Sequence, residues 1–269
     1  MDNAWISAVL GVRGSSPRCE KEFLEYGGNT SCLLSDCGDS LVLFDAGSGL
    51  SNLSVYPHRY RPIHIFLTHL HLDHMIGLSG CTLLHDPHAN IHLYGESRNG
   101  VPLAELLDRL IGPPYWPLCL SDFKANIKIH ELTPGQHVQL GEQLTIHTLR
   151  GRHPNGCLYY RLEYGEKSIV YLLDCEPDPE FLPTLTAFAR NANLLVWDAN
   201  FTEADLRAGW GHSTWKQGLA LRAAANAEQV LMTHHAHGYT DAFLQEQEQL
   251  CKQADPHSCF AKEGMEILL

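Results

Sequence analysis

The sequence predicts an α/β fold, a four-layer α/β/β/α sandwich built as one domain over residues 1–269. Three observations carry this expectation. Apolar runs of strand length alternate with segments of helical period. The alternation runs through the first half and is repeated in the second, as two similar mixed layers sharing one core. Five of the apolar runs end in Asp, or in Thr followed by His, which puts polar side chains along one rim of a buried sheet. Open α/β sheets gather ligands outside their strand ends.

In chain order, residues 4–12 read as a first strand and Arg13-Gly14-Ser15-Ser16-Pro17 as a turn. Gly27-Gly28-Asn29-Thr30 is a second turn, and a strand begins over residues 31–34. Leu41-Val42-Leu43-Phe44 is a buried strand ending in Asp45-Ala46-Gly47-Ser48-Gly49. Ile63 to Leu67 is another, and Met75, Ile76, Gly77 and Leu78, a few residues on, could open a helix. Ile91 to Tyr94 reads as a strand. Leu103, Leu106, Leu107 and Leu110 recur at helical spacing, so residues 102–110 predict an amphipathic helix with proline at its start. Gly112-Pro113-Pro114-Tyr115-Trp116-Pro117 ends it as a rigid loop. Tyr115 and Trp116 read as anchors of that loop to the core, with the floor of a substrate pocket as the alternative.

In the second half, residues 144–149, 158–162 and 168–173 predict strands. Residues 180–190 predict a helix that tolerates Pro183 only in its first turn. Leu194 to Trp197 is a buried strand, residues 214–227 a helix capped by Ser213 or Thr214, Val230 to Met232 a strand, residues 240–253 a helix and residues 265–269 a last strand.

Composition bounds the function. An apolar fraction of 44% is enough for a sizeable core. A net charge of −12 disfavours long nucleic acid, whose binding rests on many Lys/Arg–phosphate contacts. It does not exclude a small anionic substrate where bound cations dominate the local field. Nine scattered cysteines without a C-x-x-C pair suggest reduced thiols in a cytoplasm. No apolar run approaches membrane-spanning length, and Met1-Asp2-Asn3-Ala4-Trp5 lacks the pattern of a secretory leader.

The densest chemistry is Thr68-His69-Leu70-His71-Leu72-Asp73-His74, four candidate metal ligands on a strand-to-helix turn. Neutral imidazoles suit zinc, and an added carboxylate suits a second, harder ion. Two ions that bridge one hydroxide, about 3.5–4 Å apart, need further ligands from distant segments. By chemistry, His69, His71 and His153 make one site. Asp73, His74 and His234 make the other, and Asp174 bridges them. His153 lies in the turn Gly151-Arg152-His153-Pro154-Asn155-Gly156. His235 and His237 rival His234, and spacing cannot choose among the three. His85, His88 and His92 read as surface or core histidines.

Asp45 in LFDAGSG, THLHLDH, His153, Asp174 and His234 occur in the order of the metallo-β-lactamase superfamily, which the chain resembles over most of its length. The resemblance implies an αβ/βα sandwich with a dinuclear metal site at its rim. Zn2+ is the first expectation and Mn2+ or iron the alternatives. Asp174, where β-lactamases usually carry a Cys ligand, argues against antibiotic hydrolysis. Cys175 would face away if the strand continues.

The closer resemblance is to the phosphodiesterase branch, which includes tRNA 3′-end-processing endonucleases and smaller cyclic-phosphate and cyclic-nucleotide phosphodiesterases. Asp198 in LLVWDANF and His212 in Gly211-His212-Ser213-Thr214 carry it. The resemblance implies His212 as the proton donor to the leaving group, Asp198 as its orienting partner and Asp73 as a further catalytic residue. Asp45 would orient a ligand histidine, and a homodimer is implied. Arg13 and Asn29 would contact phosphate or fix loop geometry. GVRGSSP, YGGNTSC, WGHST and LMTHHAHGYTD resemble a group of small hydrolases in which an Asp follows the paired histidines, where this chain has Ala236. The tRNA-processing members carry a long arm between the third histidine and the bridging aspartate. Residues 154–173 here read as a plain hairpin. The expected substrate is therefore a small phosphodiester. A thioester, lactone or carboxyl-ester hydrolase is the first alternative, and a non-catalytic metal-binding module the second.

Overall fold

The computed structural model describes residues 5–56 and 61–269. The leader reading at residues 1–4, and Ala4 as the start of the first strand, lie outside the described residues. The first half contributes β1 (Ile6–Gly11), β2 (Arg13–Gly14), β3 (Cys32–Cys37), β4 (Ser40–Phe44), β5 (Ile63–Phe66), β6 (Asn90–Gly95), α1 (Leu103–Leu110) and β7 (Asn126–Glu131). The second contributes β8 (His137–Leu140), β9 (Leu144–Gly151), β10 (Cys157–Tyr164), β11 (Lys167–Leu172), α2 (Leu182–Ala189), β12 (Leu194–Asp198), α3 (Trp215–Ala225), β13 (Gln229–Thr233), β14 (His235–Ala236), α4 (Asp241–Ala254), β15 (Ser258–Phe260) and β16 (Glu266–Leu268).

Two seven-stranded sheets face each other, in the orders β16-β1-β3-β4-β5-β6-β7 and β15-β13-β12-β11-β10-β9-β8. Each is half antiparallel and half parallel. The strands from β4 to β7 run parallel, as do β11, β12, β13 and β15. A parallel strand covered on both faces is apolar on both. Leu194 and Val196 of β12 point between the sheets, while Leu195 and Trp197 point under the helices. Likewise, Phe66 of β5 points between the sheets and Ile63 and Ile65 point outward. The predicted αβ/βα layering is what these three packed cores make.

Differences from the expected elements have local causes. No helix opens after the histidine motif. Residues 72–74 and 76–78 form two short 3-10 turns, because their peptide groups pair with the loop after β4. Ala46 N donates to the His74 carbonyl and Gly77 N to the Ala46 carbonyl. The short edge strands β7, β8 and β15 went unanticipated. β10 and β11 form a tight antiparallel hairpin, Tyr164 opposite Lys167, with no arm between them. Thr214, not Ser213, caps α3 in a capping box with Gln217, whereas Ser213 Oγ donates to the Asp198 carbonyl. Among the described residues no helix is long and apolar enough to cross a membrane, and all nine cysteines are free.

Candidate metal centre

The parallel strands of both sheets end at one edge of the sandwich, and the candidate residues leave from those ends. Asp45 follows β4, residues 68–74 follow β5, and Asp174 follows β11. Asp198 ends β12 and His234 follows β13, while His153 comes from the β9–β10 turn and His212 lies two residues before the N-cap of α3. Asp45, Asp174 and His234 have φ of 61°, 54° and 59°. Left-handed backbone costs a non-glycine residue on the order of 1 kcal/mol. Here it ends the strand's alternation and turns each side chain over the sheet edge. Cys175 lies on the other side of that bend, buried in the layer beneath α2 and α3.

Three donor sets result. His69, His71, His153 and Asp174 form one, and Asp73, His74 and His234 a second. Asp174, Asp198, His212 and His234 form the third, each with its potential ligand atoms within 4.8 Å of one another. Asp174 lies between the first two. Its Oδ2 is 3.1 Å from His69 Nε2, 3.2 Å from His153 Nε2 and 3.4 Å from His74 Nε2. Its Oδ1 is 3.0 Å from His234 Nε2. Asp73 Oδ2 is 3.4 Å from His74 Nε2 and 3.3 Å from His234 Nε2, and it accepts the Ser15 amide at 2.7 Å. All seven residues expected as ligands converge here. Of the rivals to His234, His235 is buried beside Tyr26 and Phe260 with Nε2 against the Ala261 carbonyl. The His237 carbonyl accepts from the Arg18 guanidinium at the surface.

The chemistry of these donors fits divalent cations. His69 Nε2, His74 Nε2 and Asp174 Oδ1 are buried without a hydrogen-bond partner. An unmet buried polar atom costs about 1–3 kcal/mol. Three such atoms aimed into one nitrogen- and oxygen-lined space are compensated if each becomes a ligand. Burial pushes the His69 imidazole down to about 4, which keeps it neutral and able to bind metal. Burial alone would favour a neutral Asp174 carboxyl, but the surrounding imidazoles outweigh it and hold the group well below the usual carboxylate range.

A second layer sets the ring orientations. Asp45 Oδ2 accepts from His74 Nδ1 at 2.8 Å, and its Oδ1 accepts the Thr68 amide and hydroxyl at 2.8 and 2.9 Å. The Gly211 carbonyl is 3.2 Å from His153 Nδ1. Gly211 has φ +82°, and a Cβ there would lie 2.0 Å from that nitrogen, so only glycine fits. Asp198 Oδ2 holds His212 Nδ1 at 2.8 Å and accepts the Cys175 amide at 3.3 Å. Burial would lower the His212 pKa, but Asp198 and Asp174 outweigh it and raise it to about 9.

Sequence reasoning missed Asn200, whose Nδ2 donates to the His234 carbonyl and whose amide donates to Asp198 Oδ1. It also missed Glu176, which accepts the Gly209 and Gly211 amides at 2.7 and 2.8 Å. Arg13 does not reach the site. It is fully buried and donates to the carbonyls of Phe23, Gly27 and Tyr239. Asn29 ties Glu263 to Ser48. Tyr115 and Trp116 are at the opposite end of the sandwich. Their loop leads from the far end of α1 into the start of β7, and Lys124 and Ala125 donate to Leu84, which precedes β6.

A rim of imidazoles and carboxylates at the strand ends of an αβ/βα sandwich defines a metal-dependent hydrolase. The chain belongs to the beta-lactamase superfamily, whose domain it matches over residues 41–235, more than half its length. It is 25% identical to ribonuclease Z of Archaeoglobus fulgidus, across 86% of this chain and 87% of that one. It is 26% identical to the probable metallo-hydrolase YhfI of Bacillus subtilis, across 85% and 86%. The crystal structure of YhfI superposes with a TM-score of 0.77 over 99% of both chains, at 23% identity. Human tRNase Z, short form, superposes with a TM-score of 0.71 over 97% of this chain and 98% of that one, at 21% identity. The protein stands in the branch of the superfamily that contains these relatives.

Proposed function

We propose that the protein, acting as one hydrolase domain, is a dinuclear-metal phosphodiesterase for a small phosphodiester or cyclic nucleotide. The observation that carries this reading is the Asp198–His212 pair, hydrogen-bonded at 2.8 Å and set against the carboxylate shared by two donor sets. His69, His71 and His153 would hold one ion and Asp73, His74 and His234 the other, with Asp174 common to both. Zinc suits the imidazole-rich set, and manganese or iron the set with the extra carboxylate. When bound, two such ions polarise phosphoryl oxygens and acidify a shared water towards about pKa 7.

The chain's own residues do the rest. Asp45 and the Gly211 carbonyl fix two ligand rings, an effect commonly worth about 10–100-fold in affinity or activity. Asp198 commits His212 Nδ1, so Nε2 is the ring atom available to the substrate. The imidazolium can give its proton to a departing alkoxide. General-acid help of this kind contributes roughly 10²–10⁴-fold. A thiolate leaves without such help, which disfavours a thioester substrate. The absence of an arm in the β10–β11 hairpin and the net charge of −12 support a small substrate over a long nucleic acid.

The test is a panel of bis-p-nitrophenyl phosphate, cyclic nucleotides, hydroxyacyl-glutathione and a lactone on metal-replete protein, with Asp73→Ala as the inactive control. Turnover confined to the phosphodiesters is expected. His212→Ala should cut turnover of alkyl leaving groups by about 10²–10⁴-fold and of p-nitrophenolate far less. Equal losses on both would remove His212 from the acid role.

A further inference from the structure

The loop between β12 and α3 carries Trp210, whose side chain is half in solvent although it lies two residues before His212. A lone surface tryptophan is ordinary, but this one is built in place. Gly209 and Gly211 flank it with φ of 80° and 82°, making a turn that thrusts residue 210 outward. The Glu176 carboxylate accepts the amides of both glycines. Charge-assisted hydrogen bonds of this type are about twice as strong as neutral ones. Gly211 is in turn locked against His153. The Trp210 ring carries the Arg207 guanidinium 4.8 Å from its centroid. Beside the turn, Arg152, His153, Pro154, Glu176, Asp178 and Gly209 line a cavity of about 440 Å³. That is within the roughly 300–1,000 Å³ of small-molecule sites.

We propose that this turn is a stacking subsite for a nucleobase carried by the phosphodiester, with Trp210 as a specificity-determining residue and Glu176 as the residue that positions it. The proposal rests on the phosphodiesterase reading above. The half-exposed indole, two residues along the chain from the proton donor, offers a flat face to an aromatic ring. Arg152, Glu176 and Asp178 in the otherwise largely apolar cavity wall supply groups that can meet the hydrogen-bonding edge of a nucleobase. Arg207 strengthens such a stack through its cation–π contact.

Binding of AMP and of ribose 5-phosphate to the metal-loaded protein, measured by calorimetry, isolates the base because both ligands carry the same phosphate and sugar. Stacking of one base predicts AMP about tenfold tighter in the wild type. Trp210→Ala should bring AMP down to the level of ribose 5-phosphate, and Trp210→Phe should keep most of the preference. Equal affinities in the wild type, undetectable binding of both ligands, or a preference that survives Trp210→Ala would each overturn the subsite. Wild-type turnover of methyl p-nitrophenyl phosphate, which has no base, reads the phosphodiesterase function separately. If it is hydrolysed while AMP shows no preference, only the subsite fails. If it is not hydrolysed while Trp210 still governs an AMP preference, only the phosphodiesterase reading fails.

Discussion

Strand β5 contributes to two histidine clusters of opposite character. At its end, His69, His71 and His74 join His153, His212 and His234 around Asp73, Asp174 and Asp198. In its middle, His64 lies beside His92 of β6, which pairs with Lys128 of β7, while Tyr94 pairs with His130. The rings of His64 and His92 are 4.8 Å apart, and those of His92 and His130 are stacked at 5.2 Å. In this second cluster ring nitrogens find partners within the cluster itself. His64 Nδ1 meets the Tyr94 hydroxyl and His92 Nδ1 meets His130 Nε2, each at 3.0 Å. Burial, then neighbouring cations, keeps all three histidines below the usual imidazole range. Burial depresses His69 in the same way, yet there Asp174 opposes the shift, and the Nε2 atoms of His69 and His74 have no hydrogen-bond partner. What separates a cation site from a stack of aromatic rings is the interleaved carboxylates, not the number of imidazoles.

The largest way to break that contrast is Asp174→Ala. It removes the carboxylate that belongs to two of the three donor sets and lies within 3.4 Å of His74 and His234 of the other, so the imidazoles of the first cluster should no longer hold cations. Metal analysis after dialysis should fall from about two ions per chain to near none, and phosphodiester turnover to background. Retention of both ions would show that the imidazoles alone suffice, contrary to the comparison.

A milder change sharpens it. Asp45→Asn keeps the shape next to His74 but removes the charge that Nδ1 addresses. Metal affinity or activity should fall by about 10–100-fold, the usual size of an orienting carboxylate's effect. Competition with a chelator would measure it, and an unchanged affinity would mean that the Thr68 and backbone contacts already fix the ring.

The contrast also explains how much could be seen in the sequence. Residues 69–74 are legible because contiguous candidate ligands share one turn. The layered fold is legible because its parallel strands are apolar on both faces. Asp174 and His234 were within reach only as polar endings of such strands, since Asp and His favour the left-handed backbone that turns them inward without requiring it. His234 could not be told from His235 by spacing, and only the β13 geometry separates them. Thr68, Asn200 and Glu176 act through paired hydrogen bonds to neighbouring carboxylates and backbone, and nothing in their local pattern distinguishes them from ordinary loop residues. Edge strands such as β7 carry too few apolar residues to announce themselves. The second histidine cluster was invisible for a related reason, since it depends on register between strands far apart in sequence.

The smallest expected effect probes that second cluster. His64 has its pKa lowered from 6.5 to about 4, first by burial and then by His92 and His130. An imidazole depressed in the folded protein stays neutral there while the unfolded chain takes up a proton. Stability is therefore fully present above pH 6.5 and declines as pH falls from 6.5 towards 4. His64→Phe removes this proton uptake and leaves the Tyr94 hydroxyl without its ring partner. The variant should be no more stable than the wild type near neutrality, but its stability should decline less steeply on acidification. Urea unfolding at a series of pH values on chelated protein reads this difference, because chelation takes metal release out of both proteins and the other histidines titrate alike in each. Parallel declines would mean that His64 takes up its proton in the folded state as readily as in the unfolded chain, contrary to its burial among His92, His130 and Tyr94.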